Sequence, residues 1–164
     1  MIAIILARKN SKEIKNKNLV LVNNRPLLFW TISACLKSKL INEVYVSSDS
    51  IRILNLSKKY GAKIIHRPQN ISKDKSSSEK GWLHAINQIK KEVEFEDVIA
   101  LQATSCIRRK GILDEAINYF KKKKYNSMFS GNIIKKPCYW KKHNKKLVAN
   151  YNFKNRKMRQ EEDN

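Results

Sequence analysis

The sequence has no apolar run of the ~18 residues that a membrane-spanning helix needs. Residues 1–7 are apolar, but Arg8 and Lys9 follow them at once. A secretory signal has the opposite order, with basic residues before the apolar stretch and small residues at its end. We therefore expect a cytoplasmic protein with neither a membrane span nor a signal peptide.

Cysteine and histidine are also scarce, with three of each in 164 residues. The cysteines are widely spaced, odd in number and without a CxxC pair, and the histidines are scattered. This pattern argues against a disulfide framework and a zinc site. The residues are Cys35, Cys106, Cys138, His66, His84 and His143.

Acidic side chains are few: 14 Asp or Glu stand against 35 Lys or Arg, which gives a formal net charge of +21. Residues 116–164 hold 14 basic and 3 acidic side chains. A basic segment with interleaved aromatics such as Tyr139 and Trp140 is one signature of nucleic-acid binding. No nucleic-acid motif accompanies it, and lysines on solvated faces explain the charge equally well. We do not expect nucleic acid as a partner, but this class stays open as an alternative.

What the sequence does contain is a regular alternation of short apolar runs and amphipathic stretches of helix length. Together with a hydrophobic fraction of 41%, it predicts an α/β domain with a core. We expect a Rossmann-like, mainly parallel sheet flanked by helices over residues 1–134, and a basic region without a clear period over residues 135–164. The strands are predicted at residues 2–7, 43–49, 63–66, 97–102 and 127–134, and the helices at 27–40, 50–60, 79–91 and 110–123.

In such a fold, ligands bind outside the carboxyl ends of the strands, and the loop after the first strand is strongly basic. Its cations are Arg8, Lys9, Lys12, Lys15 and Lys17. Cations and backbone N–H groups together suit a polyphosphate. The loop has neither the Gly-x-x-x-x-Gly-Lys pattern nor Gly-x-Gly-x-x-Gly, so it is not one of the common glycine-rich phosphate loops. From charge alone, a solvated basic loop is the simpler interpretation.

Four segments make the loops more specific, because they resemble, in order and at suitable spacing, the motifs of one family. The family patterns are I-[PL]-A-R-x-x-S-K-x-x-x-x-K-N followed by G-x-P-L, then V-S-[ST]-D, then R-P … D-T-A-S-S, then L-Q-P-T-S-P-L-R. The matching segments are residues 5–18 with 26–27, residues 46–49, residues 67–78 and residues 101–108. The chain thus resembles the CMP-sialic acid synthetases (acylneuraminate cytidylyltransferases) over roughly residues 1–134. The resemblance implies a fold of the nucleotide-diphospho-sugar transferase type.

The resemblance also implies a reaction: CMP passes from CTP to a nine-carbon 2-keto acid sugar of the sialic, legionaminic or pseudaminic type, and pyrophosphate leaves. Magnesium is the implied cofactor, CTP and the acidic sugar are the implied partners, and full-length members are homodimers. Arg8 and Lys17 match the cations that act on the triphosphate, which is catalysis by positioning and electrostatics. The implied nucleotide-binding residues are Arg8, Ser11, Lys12, Lys17, Asn18, Arg67, Ser76 and Ser78. The implied sugar-binding residues are Gln102, Thr104, Ser105 and Arg159.

Each assignment has a structural alternative. Asn18 could cap a turn, Arg67 could be a solvated loop cation, and Ser76 and Ser78 could serve as ordinary helix N-terminal caps. Thr104 and Ser105 could cap the fourth helix in the same way. We expect Phe29, Trp30 and Trp82 to lie in the core.

Two departures from the family pattern bear on activity. Ala103 and Cys106 replace the two prolines of the last motif, which loosens a loop that proline would help to fix. The chain also stops soon after Arg159-Gln160, before the family's later strand and its D-x-D pair, which holds magnesium. We therefore expect a chain truncated at its C-terminus that lacks the metal carboxylates, with Asp49 the one remaining candidate ligand, although an acid ending a strand more often caps the next helix.

Three readings stay open beside the sialic-type enzyme. One is an inactive nucleotide-binding fragment or partner of a full-length homologue. Another is a related cytidylyltransferase acting on the eight-carbon acid Kdo, which the motif forms fit less closely. The third is the nucleic-acid-binding protein described above.

Overall fold

The computed structural model describes residues 1–9, 14–72, 76–131, 140–144 and 146–149 of the chain. The chain divides into two compact units, Met1–Asn126 and Ser127–Asn164. Within the described ranges, every helix is too short or too polar to cross a bilayer. The assignment of residues 1–134 to nucleotide binding and of 135–164 to the start of a dimerisation and sugar-binding region stays a prediction.

The regular elements follow one another in the order expected for an α/β domain. The strands are β1 (Ile2–Leu6), β2 (Leu21–Val22), β3 (Arg25–Pro26), β4 (Glu43–Ser48), β5 (Lys63–His66), β6 (Val98–Gln102), β7 (Trp140–His143) and β8 (Lys146–Ala149). The α-helices are α1 (Leu27–Leu36), α2 (Ile51–Lys59), α3 (Ser78–Ile89) and α4 (Ile112–Lys123). Two 3-10 turns lie at Lys17–Leu19 and Gln69–Ile71.

A four-stranded parallel sheet with the order β5-β4-β1-β6 forms the centre of the first unit. Its strand β1 pairs with β4 on one edge and β6 on the other, and its residues 2–5 are buried. A continuous, largely β-branched apolar run is what a strand covered on both faces requires. The mainly parallel α/β fold predicted from the alternation is therefore confirmed.

Alternate residues of β1 supply two cores, one on each face of the sheet. Ala3 and Ile5 belong to a cluster with buried residues of α1, α2 and α4. Ile2 and Ile4 belong to a second cluster, which includes Ala85 and Ile89 of α3. Because successive side chains of a strand point to opposite faces, this one run orders both layers of helices.

Helix α1 ends at Leu36, earlier than the predicted residue 40, because a carboxylate of α4 binds the amides that would have continued it. The Lys39 and Leu40 N–H groups donate to Asp114 at 3.2 and 3.4 Å, and the Ser38 hydroxyl donates to the same carboxylate. These hydrogen bonds, with that of Ser38 the largest cause, lower the pKa of Asp114. The carboxylate thus joins the α1–β4 connection to α4.

Two leucines of the helices lie outside the core: Leu36 and Leu83 are 49% and 58% exposed. Leu36 is the last residue of α1, while the buried positions of α3 are Gly81, Ala85 and Ile89, which leaves Leu83 on the outer side. Residues 127–131 are not in a strand, and the rest of the predicted fifth strand lies outside the described residues.

Two hairpins were not predicted as strand pairs. Strands β2 and β3 pair across Asn23 and Asn24, both with positive φ, as a two-residue turn between strands prefers. Trp30 donates from Nε1 to the Val22 carbonyl at 3.0 Å and is half-buried rather than in the core. In the second unit, β7 and β8 form an antiparallel pair.

The two cysteines of the described ranges, Cys35 and Cys106, are free thiols, and Cys138 lies outside those ranges. Burial raises the pKa of the Cys35 thiol to about 12, although the nearby Arg108 acts in the opposite direction. Because the thiolate is the nucleophile, Cys35 is a core residue without reactivity at neutral pH.

Two fully buried serines are expected to respond oppositely to replacement by alanine. Within the described residues, the Ser47 hydroxyl has no hydrogen-bond partner, whereas Ser57 donates to the Ile53 carbonyl at 2.7 Å. Ser47→Ala removes an unsatisfied buried hydroxyl and should raise the free energy of unfolding by about 1 kcal/mol. Ser57→Ala should lower it by about 0.5–1.5 kcal/mol. Urea denaturation of both variants checks this, and destabilisation of the chain by Ser47→Ala would contradict it.

Candidate functional site

The polar loops named above meet at the carboxyl edge of the sheet. In the sheet, β4 and then β5 lie on one side of β1. The chain then crosses over, and β6 pairs with the other side of β1. A crevice at such a reversal of strand order is the usual ligand site of an open α/β sheet. Leu6 is paired with Gln102, so the basic loop after β1 and the loop after β6 start side by side.

The peptide group between Arg8 and Lys9 is held by a side chain at each of its polar atoms. Asn18 Nδ2 donates to the Arg8 carbonyl at 2.9 Å, and the Lys9 N–H donates to Asp49 Oδ1 at 2.7 Å. One peptide is therefore fixed from both sides, which sets the direction in which the basic loop leaves β1. We call this arrangement the peptide clamp.

The peptide clamp decides between earlier interpretations of its side chains. Asn18 is buried and donates a hydrogen bond to the Arg8 carbonyl of the basic loop. Its position in the family motif did not indicate this hydrogen bond. Asp49 does not cap α2, because Ser50 is the N-cap and its side chain accepts from the Ile53 N–H at 3.5 Å. The role of Asn18 toward cytidine stays a prediction.

Arg67 is a buried cation at the same edge, with 5% of its surface exposed, so its interpretation as a solvated loop residue is wrong. The backbone N–H of Arg67 donates to the Ser48 carbonyl at 2.8 Å, and its side-chain Nε donates to Ser72 Oγ at 3.0 Å. Burial lowers the pKa of Arg67, the attraction of Asp49 raises it, and the repulsion of Arg8 lowers it further. Arg8, Asp49 and Arg67 thus lie within electrostatic reach of one another.

Beside the peptide clamp lies a cleft of about 600 Å³. Three of its lining residues carry positive charge, and the first turn of α2 forms another part of its wall. Cations next to a helix N-terminus favour bound anions. The lining residues are Lys9, Lys15, Asn16, Leu19, Asp49, Ser50, Ile51, Arg52 and Ile53.

Lys17 begins the 3-10 turn Lys17–Leu19 and is half-buried. Asn16 precedes it with φ of 54°, a left-handed conformation that asparagine tolerates better than most residues. Lys17 and Asn18 of the peptide clamp thus belong to the same turn. Ser11 and Lys12 lie outside the described residues, so their predicted roles stay open.

The last residue of β6 and the loop after it supply three of the predicted sugar-binding residues. Gln102 and Thr104 are exposed, and their side chains are 3.5 Å apart (Thr104 Oγ1 to Gln102 Oε1). The Ser105 N–H donates to the Gln102 carbonyl at 3.3 Å. Thr104 and Ser105 do not cap α4, whose N-cap is Gly111. Arg159, the fourth predicted sugar ligand, lies outside the described residues.

Thr31 of α1 joins both ends of the loop after β6, which we call the 103–108 loop. The fully buried Thr31 hydroxyl donates to the Ala103 carbonyl at 3.4 Å and accepts from Arg108 Nη1 at 3.0 Å. Sequence reasoning missed this tie. The available signal was a threonine on the buried face of an otherwise apolar helix.

Of the predicted cytidine-site serines, Ser76 is half-buried, and its hydroxyl lies 3.5 Å from the Asn70 carbonyl. Ser78 is exposed and is the first residue of α3. Ser77 is the N-cap of that helix and makes no capping hydrogen bond from its side chain. The capping alternative therefore does not account for Ser76 or Ser78.

The described residues contain no group of three or more potential metal ligands from His, Cys, Asp and Glu. Asp49 accepts the Lys9 N–H and lies near the charge of Arg67, an environment that serves a loop rather than a hard dication. Magnesium stays an expectation from the family resemblance, and no chemistry below is assigned to it.

Comparison with known proteins places these features in a family. A cytidylyltransferase family model matches residues 2–163. The chain is 34% identical to the N-acylneuraminate cytidylyltransferase of Escherichia coli O18:K1:H7 over 84% of this chain and 32% of that protein. It is 32% identical to the pseudaminic acid cytidylyltransferase of Campylobacter jejuni (strain 81-176) over 83% of this chain and 60% of that protein.

Among solved structures, a CMP:2-keto-3-deoxy-manno-octonic acid synthetase in complex with CTP superposes with a TM-score of 0.64. The match covers 74% of this chain and 47% of that one at 20% identity, so it bears on the fold alone. The chain spans between about a fifth and three fifths of the length of the curated relatives it matches. The polar loops that meet at the sheet edge, the fold and the family match lead to one conclusion: the chain belongs to the cytidylyltransferase family.

Proposed function

We propose that this chain binds CTP and belongs to an enzyme that transfers CMP to a nine-carbon 2-keto acid sugar of the sialic, legionaminic or pseudaminic type. The observation that carries the proposal is the meeting of Arg8, Asn18, Asp49 and Arg67, distant in sequence, around one clamped peptide. Relatives named for sialic and pseudaminic acid support the acceptor class.

In the proposed reaction, the anomeric hydroxyl oxygen of the sugar forms a bond to the α-phosphorus. The bond from that phosphorus to the oxygen bridging to the β-phosphate breaks, pyrophosphate leaves, and the hydroxyl proton passes to solvent. Negative charge grows on the leaving group. Fixed cations lower the barrier because they need little rearrangement when this charge develops.

The described residues suit these tasks differently. The carbonyl of Arg8 belongs to the clamped peptide, and Lys17 lies in the turn that contains Asn18. Both cations therefore extend from backbone that is held in place. Arg67 is buried and hydrogen-bonded, which suits recognition of one fixed ligand group better than general attraction of anions. Gln102 and Thr104 start beside the basic loop and are suited to the acceptor.

Isothermal calorimetry with CTP tests the nucleotide part. We expect binding by the unchanged chain and affinity lower by roughly tenfold or more in Arg8→Ala and Lys17→Ala, since each removes a charge-assisted contact. Lys58→Ala is the control, because Lys58 lies in the last turn of α2, away from the N-terminal turn that lines the cleft. Absence of CTP binding, or equal losses in all three variants, would contradict the proposal.

A pyrophosphate-release assay with magnesium and each of the three acids tests the acceptor part. Release that depends on one of these acids supports the transfer. Salt-sensitive binding of arbitrary DNA duplexes that is unaffected by CTP would favour the nucleic-acid alternative instead.

The peptide clamp predicts a graded response at Asp49. Asp49→Ala removes the acceptor of the Lys9 N–H and should lower CTP affinity by roughly tenfold. Asp49→Asn keeps an acceptor oxygen and should lose much less. Asn18→Leu should resemble Asp49→Ala, and the double variant should lose less than the sum, because both act on one peptide. If the asparagine and alanine variants of Asp49 were equally impaired, its charge, rather than the peptide clamp, would be the cause.

The 103–108 loop gives a separate prediction at Thr31. Thr31→Val keeps the shape but removes the hydroxyl that joins Ala103 and Arg108, and Thr31→Ser restores it. We expect Thr31→Val to raise the KM for the acid sugar by roughly tenfold with little effect on CTP affinity. The half-buried Cys106 thiol should also react faster with a thiol reagent. An unchanged Cys106 rate in Thr31→Val would show that the hydroxyl does not hold the loop.

A further inference from the structure

Gly81 occupies the interior of α3, where glycine is a poor helix former compared with alanine. Its backbone is helical, and the positive-φ glycines in the described residues are Gly61 and Gly111. Backbone conformation therefore does not require glycine here. A glycine inside a helix usually has a packing or functional reason.

The reason lies in the space beside the Cα atom of Gly81, which is buried. A Cβ atom added there would lie 3.0 Å from Arg67 Nη1 and 3.0 Å from Leu6 Cδ1. Both distances are shorter than ordinary van der Waals contacts, so at least one neighbour would have to move. The guanidinium of Arg67 thus lies directly against the bare backbone of α3.

Arg67 has little freedom to yield. Its surface is 5% exposed, Nε is bound to Ser72 Oγ, and the Ser72 hydroxyl in turn donates to the Pro68 carbonyl at 2.9 Å. Asp49, the residue after β4, attracts the guanidinium. A guanidinium displaced from α3 would move relative to these partners and to Arg8.

His84, one turn beyond Gly81 in α3, also feels the charge of Arg67. Burial lowers the pKa of the His84 imidazole most, and the repulsion of Arg67, His66 and Lys91 lowers it further. The neutral imidazole is therefore favoured next to Arg67.

We propose that Gly81 is a positioning residue: its missing side chain allows the Arg67 guanidinium to lie against α3, near Leu6 of β1, and so positions that cation for the nucleotide. The identity of the ligand rests on the proposed function. The placement of Arg67 by Gly81 is independent of it.

The test is a double-variant cycle with two readouts. Gly81→Ala should weaken CTP binding by roughly five- to tenfold in calorimetry, because the guanidinium contact is lengthened. In an Arg67→Lys background, which lacks the Nη1 atom, the same substitution should change CTP affinity by less than about twofold. An equal loss in both backgrounds would overturn the proposal.

The second readout is thermal stability and needs no ligand. Alanine has the higher helix propensity, but its Cβ atom would still meet Leu6 Cδ1 when lysine replaces Arg67. The change in Tm caused by Gly81→Ala should therefore be roughly 2–4 °C more positive in the Arg67→Lys background than with Arg67 present. A purely structural glycine would change Tm equally in both backgrounds, and that result would contradict the proposal, as would a Gly81→Ala chain that fails to fold even with Lys at position 67.

The two readouts separate the two proposals. If the unchanged chain does not bind CTP, the proposed function fails, and the Tm comparison alone decides the role of Gly81. If CTP binds and Gly81→Ala affects neither readout, the function stands and the positioning role is wrong.

Discussion

The parallel pairing of β1 on both of its edges is the constraint on which the rest of the molecule depends. Its five residues supply side chains to both cores, so neither layer of helices can shift without disturbing the other. Its carboxyl end therefore points to one place. Arg8 lies two residues after Leu6, the last residue of β1. The fixed strand therefore limits where the Arg8 backbone can lie, apart from any contact that Arg8 itself makes.

The site then gains its precision from backbone held by side chains. In the peptide clamp, the Asn18 amide comes from the 3-10 turn and the Asp49 carboxylate directly follows β4. Three segments of the chain therefore fix the position of one peptide group. For the proposed nucleotide ligand, cations on such backbone would need little reorganisation. The buried Arg67 is also held by hydrogen bonds, because a desolvated charge is tolerated only with partners in place.

Much of the fold could be predicted because strand and helix periods are local properties. The apolar run of residues 2–7 and the helical spacing after Leu27 indicated β1 and α1 directly. The end of α1 could not be predicted, because the carboxylate that stops it, Asp114, lies far along the chain. The site shows the same division: motifs located Arg8, Asn18, Asp49 and Arg67, but hydrogen bonds between distant residues decide what each side chain touches. Thr31 was missed for that reason.

In the 103–108 loop, hydrogen bonds to Thr31 provide the restriction that proline provides in the family motif. Proline restricts a loop in every state of the chain, including the unfolded one. Ala103 and Cys106 provide no such restriction, and the Thr31 hydroxyl acts only after α1 has packed onto the sheet. The loop should consequently become ordered late in folding, as a result of core formation, and should be the first part of the sheet edge to loosen when the core is strained.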